Sequence, residues 1–257
     1  MEGKVCVITG ASRGAGKGIA EVLARNGAYC VVVARSAGQL EQLLNSILEN
    51  GGKGMCAPCN IADRASVQAM VKKVVDEVGV PDFLINNAGV WAFQDFCDKE
   101  YDSWDLMIDV NVKGHLHLMG EFVPLMKERG KGHIINVTSD SERVPFAGVS
   151  VYTGTKFFMR GTCEALRMEL RGTGVRITNI LPGFIWTDGL EKTLNNEKER
   201  AMMEKFGFGD PDNYIKNKDL MLQPSDIGDC VLSVARAPEN YHIDDIRLMD
   251  KLQNTVF

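Results

Sequence analysis

Short, mainly apolar runs alternate with longer segments of helical spacing along almost the whole chain. The apolar runs cover residues 5–8, 29–33, 54–57, 83–85, 134–137 and 175–180, and helical patterns such as 18–26, 39–49 and 66–78 lie between them. Strands that are apolar along their whole length, rather than at every second residue, are typical of a parallel sheet buried on both faces. The repeated strand–helix–strand order requires right-handed crossovers. The sequence therefore predicts a doubly wound α/β fold.

No linker, repeat or low-complexity tract interrupts this pattern, so we expect one domain over residues 1–257. A hydrophobic content of 45% is enough for a sizeable core, which excludes a disordered chain. The net charge of −5, without a block of Lys and Arg, argues against binding to nucleic acid phosphates.

Targeting signals and metal-binding motifs are not evident in the sequence. No apolar stretch approaches the roughly 20 residues that span a bilayer, and the start shows no signal-peptide pattern, so we expect no membrane association. Seven cysteines, mostly inside apolar runs, are typical of reduced thiols in a cytoplasmic protein. Cys56 and Cys59 are spaced as C-x-x-C, but no second Cys or His pair follows to complete a zinc site. We predict a cytoplasmic protein without a metal.

A glycine-rich turn follows the first predicted strand and reads Thr9-Gly10-Ala11-Ser12-Arg13-Gly14-Ala15-Gly16. Glycines in such a turn permit a tight bend, close approach of the backbone to a pyrophosphate, and close packing of the next helix. The amino terminus of that helix presents N–H groups and a positive dipole end to phosphates. The turn therefore predicts a dinucleotide-binding site.

The spacing of this turn resembles the T-G-x-x-x-G-x-G pattern of the short-chain dehydrogenase/reductase family. Three further motifs fall at the strand ends where that family has them. They are Asn86-Asn87-Ala88-Gly89, the pair Tyr152 and Lys156 with Ser139 thirteen residues before the tyrosine, and Pro182-Gly183. The resemblance covers about residues 4–183 and identifies the chain as a member of the family. It implies a single-domain Rossmann-type fold with a mostly seven-stranded parallel sheet flanked by helices.

The resemblance also implies a catalytic group. Tyr152 would donate a proton to the substrate carbonyl, Lys156 would hold the cofactor ribose and tune the tyrosine, and Ser139 would orient the substrate oxygen. Residues four apart share one helix face, so Tyr152 and Lys156 can point into one site. Ser141 is the alternative to Ser139, but the spacing to Tyr152 favours Ser139. Asn111 matches the fourth catalytic residue of the family, which bends its helix and holds a water in a proton relay.

The choice of cofactor depends on the end of the second strand. An NAD-specific site commonly has a carboxylate there for the ribose 2′-hydroxyl, but this chain has Ala34-Arg35-Ser36. Arg35, with Arg13 in the glycine turn, suits the 2′-phosphate of NADP. NADPH is therefore the predicted cofactor, and an NAD-linked alcohol dehydrogenase is the alternative.

The predicted cofactor-binding residues come from the glycine turn, the other strand ends and the catalytic helix. They are Gly10, Ser12, Arg13, Gly14, Ala15, Gly16, Arg35, Asn60, Ile61, Asn87, Ala88, Gly89, Tyr152, Lys156, Pro182, Gly183 and Ile185. Asn60 departs from the family pattern, which has Asp beside the adenine, but it keeps a carbonyl that can accept from the adenine amine.

By the same resemblance, a stretch after Gly89 and a segment at about residues 184–223 shape the substrate pocket. The predicted substrate contacts are Trp91, Phe146, Phe184 and Trp186. They favour an apolar, medium-sized ketone, aldehyde or secondary alcohol. The segment 242–249 is similar to the branch that contains serine and clavulanate dehydrogenases, with acyl-carrier-protein ketoreductases and hydroxysteroid dehydrogenases as alternatives.

Family members usually pair through the helices that here carry Asn111 and Tyr152, so we expect a homo-oligomer, a tetramer or a dimer. A non-catalytic NADP(H)-binding regulatory protein is the rival function, because a fold alone does not give an activity. Such proteins typically lose the tyrosine or the lysine. This chain retains both, which favours an enzyme acting on a small-molecule carbonyl or alcohol.

Overall fold

The structure, a computed structural model, describes residues 1–252. Seven parallel strands form one sheet in the order β3-β2-β1-β4-β5-β6-β7. The strands are β1 Val5–Thr9, β2 Tyr29–Ala34, β3 Lys53–Pro58, β4 Phe83–Asn86, β5 Gly132–Val137, β6 Val175–Pro182 and β7 Asp245–Leu248. The predicted Rossmann-type sheet is confirmed, while residues 253–257 of the predicted domain lie outside the described residues. The strand order reverses between β1 and β4, where sheets of this kind bind ligands.

Helices connect the strands and cover both faces of the sheet. They are α1 Gly14–Arg25, α2 Ala37–Glu49, α3 Arg64–Val78, α4 Tyr101–Ile108, α5 His115–Arg129, α6 Ser150–Glu169, α7 Asp188–Leu194, α8 Glu197–Lys205, α9 Pro211–Lys216 and α10 Pro224–Ala235. A π-helical turn, Asp109–Gly114, joins α4 to α5, and a short 3₁₀ turn, Asp140–Glu142, follows β5. Within residues 1–252, none of these helices is long and apolar enough to cross a membrane.

Two apolar layers hold the sheet between the helices. Alternate residues of a strand point to opposite faces, so Ile8 of β1 packs with α1, α2 and α10, while its neighbour Val7 packs with α3, α5 and α6. Both residues are fully buried. Burial on both faces explains why most residues of the central strands are apolar, and it leaves the carboxyl ends of the strands as the open edge of the fold.

A third, smaller apolar cluster covers that edge. Leu190, Leu194, Met203, Tyr214 and Met221 contribute to it, and all five come from the segment predicted to shape the substrate pocket. This segment folds as α7, α8 and α9, and a bridge between Ile185 and Leu222 joins its two ends. The sheet and this helical cover therefore enclose a cleft between them.

Candidate active site

The glycine turn is fastened to the end of β4 by the side chains of Thr9 and Asn87. Thr9 Oγ1 accepts hydrogen bonds from the backbone N–H groups of Asn87 and Ala88, at 3.0 and 3.1 Å. Asn87 Nδ2 donates to the carbonyl of Thr9 at 2.9 Å. The two motifs that lie 78 residues apart in the sequence thus meet at the point where the strand order reverses.

Gly16 and Gly10 allow the first helix to begin directly against this turn. Gly10 has a φ of 66°, which is in the left-handed region. A Cβ at Gly16 would lie 2.3 Å from the carbonyl oxygen of Gly10 and 2.5 Å from Asn87 Nδ2. Gly10 O belongs to the backbone, and Asn87 Nδ2 is held by its hydrogen bond to Thr9 O. Neither can move aside easily, so only glycine fits at position 16.

We expect Gly16→Ala to lower the free energy of unfolding by about 1–3 kcal/mol, because the added methyl pushes α1 away from Gly10 and Asn87. Gly38→Ala is the matched control, since a Cβ at Gly38, in the first turn of α2, meets nothing within 4 Å. That variant should be neutral or slightly stabilising. Urea denaturation midpoints compare the two. Equal midpoints would contradict the close approach at Gly16.

The start of α1 is suited to phosphate. Its first turn has no acidic residue, and its cap residue Arg13 forms no side-chain cap hydrogen bond. The first N–H groups of the helix are therefore left for an anion. Arg35 follows β2, whose residue Val33 accepts a hydrogen bond from Ala11 N of the turn at 3.1 Å. Arg13 and Arg35 are both exposed and both line the cleft.

The cleft has a volume of about 1400 Å³ and runs along the carboxyl ends of the strands. Every predicted cofactor-binding residue lines it except Gly16, which is buried behind the turn. The residues present fit a nicotinamide dinucleotide.

Tyr152 and Lys156 lie in the first two turns of α6 and both line the cleft. Lys156 is only 4% exposed, and its Nζ lies 5.3 Å from the centroid of the Tyr152 ring. Ser139 also lines the cleft, and its Oγ accepts from Ser141 N at 3.2 Å, which caps the short turn that follows β5. Ser141 lines the cleft as well. The fold thus brings Ser139, Tyr152 and Lys156 to one wall.

Asn111 does not line the cleft but is fully buried in the π-helical turn. Its Oδ1 accepts from Val90 N at 2.9 Å, while its Nδ2 donates to Val90 O at 2.8 Å and to Thr155 Oγ1 at 3.2 Å. The amide thus joins the segment after Gly89 to the helix that carries Tyr152. Extra turns of this type are frequent at functional sites. The structure thus places Asn111, predicted as a member of the catalytic group, outside the lining of the cleft and bonded to the helix that carries Tyr152.

His115 contacts the segment after β4 and was not predicted from the sequence as a site residue. Its Nε2 lies 2.7 Å from the carbonyl of Ala88. Burial, and then the charge of Lys156, lower the pKa of His115 to about 4, so the ring is neutral near pH 7. Because a carbonyl can only accept, Nε2 carries the proton. No motif indicated His115, since its partner lies 27 residues away in the sequence.

Three of the four predicted substrate contacts, Trp91, Phe146 and Phe184, line the cleft. Trp186 does not. Its backbone N–H donates to Leu222 O at 2.7 Å, and its ring lies 5.8 Å from Lys218 Nζ. These contacts place Trp186 against the far end of the cover, so the prediction for this residue is not supported by the structure.

Other aromatic residues line the cleft without having been selected from the sequence. They are Phe93, Phe206, Phe208 and Tyr214. Phe208 had a recognisable signal, because Gly207 and Gly209 flank it, with φ of 75° and 87°. Two glycines around an aromatic residue indicate a sharp turn that presents the ring. Tyr214, on α9, had none. Within residues 1–252, no group of three or more His, Cys, Asp or Glu side chains is placed to hold a metal.

Comparison with known proteins agrees with this geometry. Residues 4–198 match the model of the short chain dehydrogenase family. The chain belongs to this family. It is therefore an oxidoreductase of the short-chain type, a class that uses a nicotinamide cofactor, and the resemblance noted in the sequence is confirmed.

Three individual similarities describe its place among short-chain enzymes. The chain is 35% identical over 246 residues to the glycine betaine reductase of Emericella nidulans. This match covers 96% of this chain but only 18% of that protein. The closed form of serine dehydrogenase with NADP⁺ is 27% identical, with a TM-score of 0.85 over 98% of this chain and 97% of that one. The 3-ketoacyl-(acyl-carrier-protein) reductase of Brucella melitensis, solved with NADH, is 25% identical, with a TM-score of 0.80 over 96% and 97%. The chain thus spans less than a fifth of the first relative's length, and the serine dehydrogenase branch is among its structural neighbours.

Proposed function

We propose that this protein is an NADPH-dependent reductase of aldehydes or ketones, which in reverse oxidises the corresponding alcohols. The observation that carries the proposal is the shared cleft, which is lined both by Ser139, Tyr152 and Lys156 and by the glycine turn with Arg13 and, after β2, Arg35. A proton donor and a dinucleotide cradle in one cavity are the two parts that carbonyl reduction requires.

The residues of the chain divide the binding of the cofactor among them. The amino terminus of α1 would bind the pyrophosphate, Arg13 and Arg35 the 2′-phosphate, and Asn60 with Ile61 the adenine. Lys156 would hold the nicotinamide ribose. Arginine forks suit phosphate because they donate two parallel hydrogen bonds to it, and no carboxylate follows β2 to repel it.

When bound, NADPH supplies a hydride to the carbonyl carbon. Ser139 donates a hydrogen bond to the carbonyl oxygen and fixes its position, and Tyr152 transfers its phenolic proton to that oxygen. The buried ammonium of Lys156 stabilises the negative charge that then develops on the phenolate. One carbonyl, one NADPH and one proton thus give one alcohol and one NADP⁺.

The lining of the far end of the cleft indicates the substrate class. Apolar and aromatic side chains predominate there, including Trp91, Phe146 and Phe184, which suits a medium-sized compound with an apolar surface. The name of the Emericella relative records glycine betaine, a compound with a trimethylammonium group. Because the match covers 18% of that protein, the name alone assigns no substrate to this chain.

A screen of NADPH oxidation tests the proposal across aldehydes, ketones, β-keto esters, quinones and steroids. We expect at least one carbonyl class to give turnover that needs both the compound and NADPH. The protein could instead bind NADPH in calorimetry but fail to oxidise it with any of the compounds tested. That result would favour the alternative, a non-catalytic NADP(H)-binding regulatory protein.

We also propose that the protein acts in the cytoplasm. All seven cysteines are free thiols, and Cys6, Cys30, Cys59 and Cys163 are buried. Burial raises the pKa of Cys30 and of Cys163 to about 12. Such thiols stay protonated and unreactive, as is usual in a reducing compartment.

A homo-oligomer is proposed from the outer face of α6. Phe157, Phe158 and Met168 are 42%, 46% and 63% exposed there, and Cβ atoms at Gly154 and Gly161 would meet nothing within 4 Å. An apolar face with room for close approach suits pairing of two copies around a two-fold axis.

Sedimentation at micromolar concentration should therefore show a dimer or tetramer, and Phe158→Glu should shift it towards the monomer, because a carboxylate would be buried at the contact. Leu48→Glu on α2 is the control, since Leu48 is similarly exposed, at 49%, on another helix. A monomeric parent protein, or equal effects of the two variants, would refute the α6 interface.

A further inference from the structure

Six aromatic side chains form one connected surface in the cleft, here called the aromatic wall. They are Trp91, Phe93, Phe146, Phe184, Phe208 and Tyr214. Phe208 lies at the centre, with its ring centroid 4.6, 5.7 and 6.3 Å from the centroids of three of the others. Tyr152 packs against the same apolar cluster. The wall and the proton donor therefore pack in one apolar cluster.

The rings of the wall stand at steep angles to one another. The interplanar angle is 82° between Trp91 and Phe93, 77° between Phe93 and Phe208, and 79° between Phe184 and Tyr214. Near-perpendicular rings turn their faces in different directions around one space, as in the aromatic cages that hold quaternary ammonium groups. Parallel stacking would instead suit a flat ligand.

Local structure holds Phe208 in place before any substrate arrives. Gly207 and Gly209 take left-handed φ on either side of it, and Tyr214 Oη donates to the carbonyl of Phe208 at 2.8 Å. That bond also occupies the hydroxyl hydrogen of Tyr214. A wall that needs no rearrangement loses little entropy when it binds a ligand.

Apart from the indole N–H of Trp91, the wall offers mainly π faces, since the hydroxyl hydrogen of Tyr214 is already donated to Phe208 O. Aromatic faces carry partial negative charge and attract cations. Within residues 1–252, the lysines that stand over rings do so at Tyr152, Phe206 and Trp186, which leaves the central ring of Phe208 without a cation from the protein. Of the charged residues that α7 and the turn after Phe208 give to the cleft lining, Asp188 and Asp210 are acidic and Lys192 is basic.

We infer that the substrate carbonyl compound carries a compact quaternary ammonium group, which the aromatic wall binds while Tyr152 protonates the carbonyl oxygen. A trimethylammonium group spreads its charge over methyl surfaces and donates no strong hydrogen bond, so it matches a site of ring faces. The inference rests on the proposed function and names its substrate class. The carbonyl gains a hydride from NADPH and a proton from Tyr152, and the ammonium group is unchanged.

The test compares choline with its neutral isostere 3,3-dimethylbutan-1-ol, which differ in charge but hardly in shape. Both are titrated calorimetrically into the Tyr152→Phe protein loaded with NADP⁺, so that no turnover disturbs the heats. We expect choline to bind at least about tenfold more tightly, the range of a partly desolvated cation–π contact. Equal or tighter binding of the neutral alcohol would overturn the inference.

Phe208→Leu, added to the same protein, should reduce this preference to about threefold or less, because the central π face is lost while the apolar surface remains. Phe146→Leu, which removes a ring next to Phe208 in the wall, gives a second measurement if Phe208→Leu does not fold. Trp186→Leu removes an aromatic ring outside the cleft and should leave the preference unchanged. If Phe208→Leu and Phe146→Leu both keep the full preference, the wall is not the binding site.

Binding and catalysis fail separately in this design. Calorimetry does not depend on turnover, so a choline preference without any NADPH oxidation would reject the proposed reductase activity alone. Reduction of neutral aldehydes together with no choline preference would reject the ammonium substrate alone.

Discussion

Replacing Tyr152 with phenylalanine is expected to lower kcat by a factor of about 10²–10⁴, the usual contribution of a positioned general acid. The change removes the phenolic proton but keeps the ring beside Lys156, whose Nζ lies 5.3 Å from its centroid. The loss should therefore appear in kcat, because the interaction is made in the transition state. NADPH affinity, measured by calorimetry or fluorescence, should change by less than about threefold.

Tyr101→Phe is the matched control, because Tyr101 is 60% exposed on α4 and does not line the cleft. It should retain the parent kcat. A Tyr152→Phe enzyme with a tenth or more of the parent kcat would show that another group supplies the proton. Loss of NADPH binding in that variant would instead show a structural effect.

The second large effect concerns the choice of cofactor. We expect the double change Ala34→Asp and Arg35→Ser to lower the ratio of kcat/KM for NADPH to that for NADH by about 10²–10³-fold. A charge-assisted contact to the 2′-phosphate contributes about ten- to a hundredfold, and the new carboxylate repels the phosphate while accepting from a hydroxyl. The assay belongs at low salt, where exposed charges are least screened.

Arg25→Ser is the control for the loss of an exposed arginine, since Arg25 lies at the end of α1 and outside the cleft. Its ratio should match that of the parent. A parent enzyme that already prefers NADH, or a double variant with an unchanged ratio, would support the NAD-linked alternative. Neither result would affect the assignment of Tyr152.

The sheet and the main motifs could be predicted because they are local properties of the chain. The central strands are mainly apolar since they are buried on both faces, as Val7 and Ile8 show. The glycine turn, the Asn-Asn-Ala-Gly motif and the Tyr152–Lys156 pair each lie within eight residues or fewer. A parallel sheet brings all carboxyl ends of its strands to one edge, so these motifs had to meet there.

Contacts between distant parts of the chain could not be predicted. Asn111 was expected in the catalytic group. Only its hydrogen bonds to Val90 and Thr155 show that it joins the segment after Gly89 to the helix that carries Tyr152. His115 beside Ala88 gave no signal, because a single histidine in a helical segment has many ordinary roles.

The substrate end of the cleft shows most clearly which features the sequence determines and which depend on the tertiary structure. The resemblance to the family placed the segment 184–223 at the substrate pocket, and the sequence showed aromatic residues there among many charged ones. The tertiary structure decided which rings face inward: it turned Trp186 towards Lys218 and placed Phe208 at the centre of the aromatic wall. The physical reason is that apolarity is set by each residue alone, whereas the direction of a side chain depends on the backbone of its turn and on partners distant in sequence.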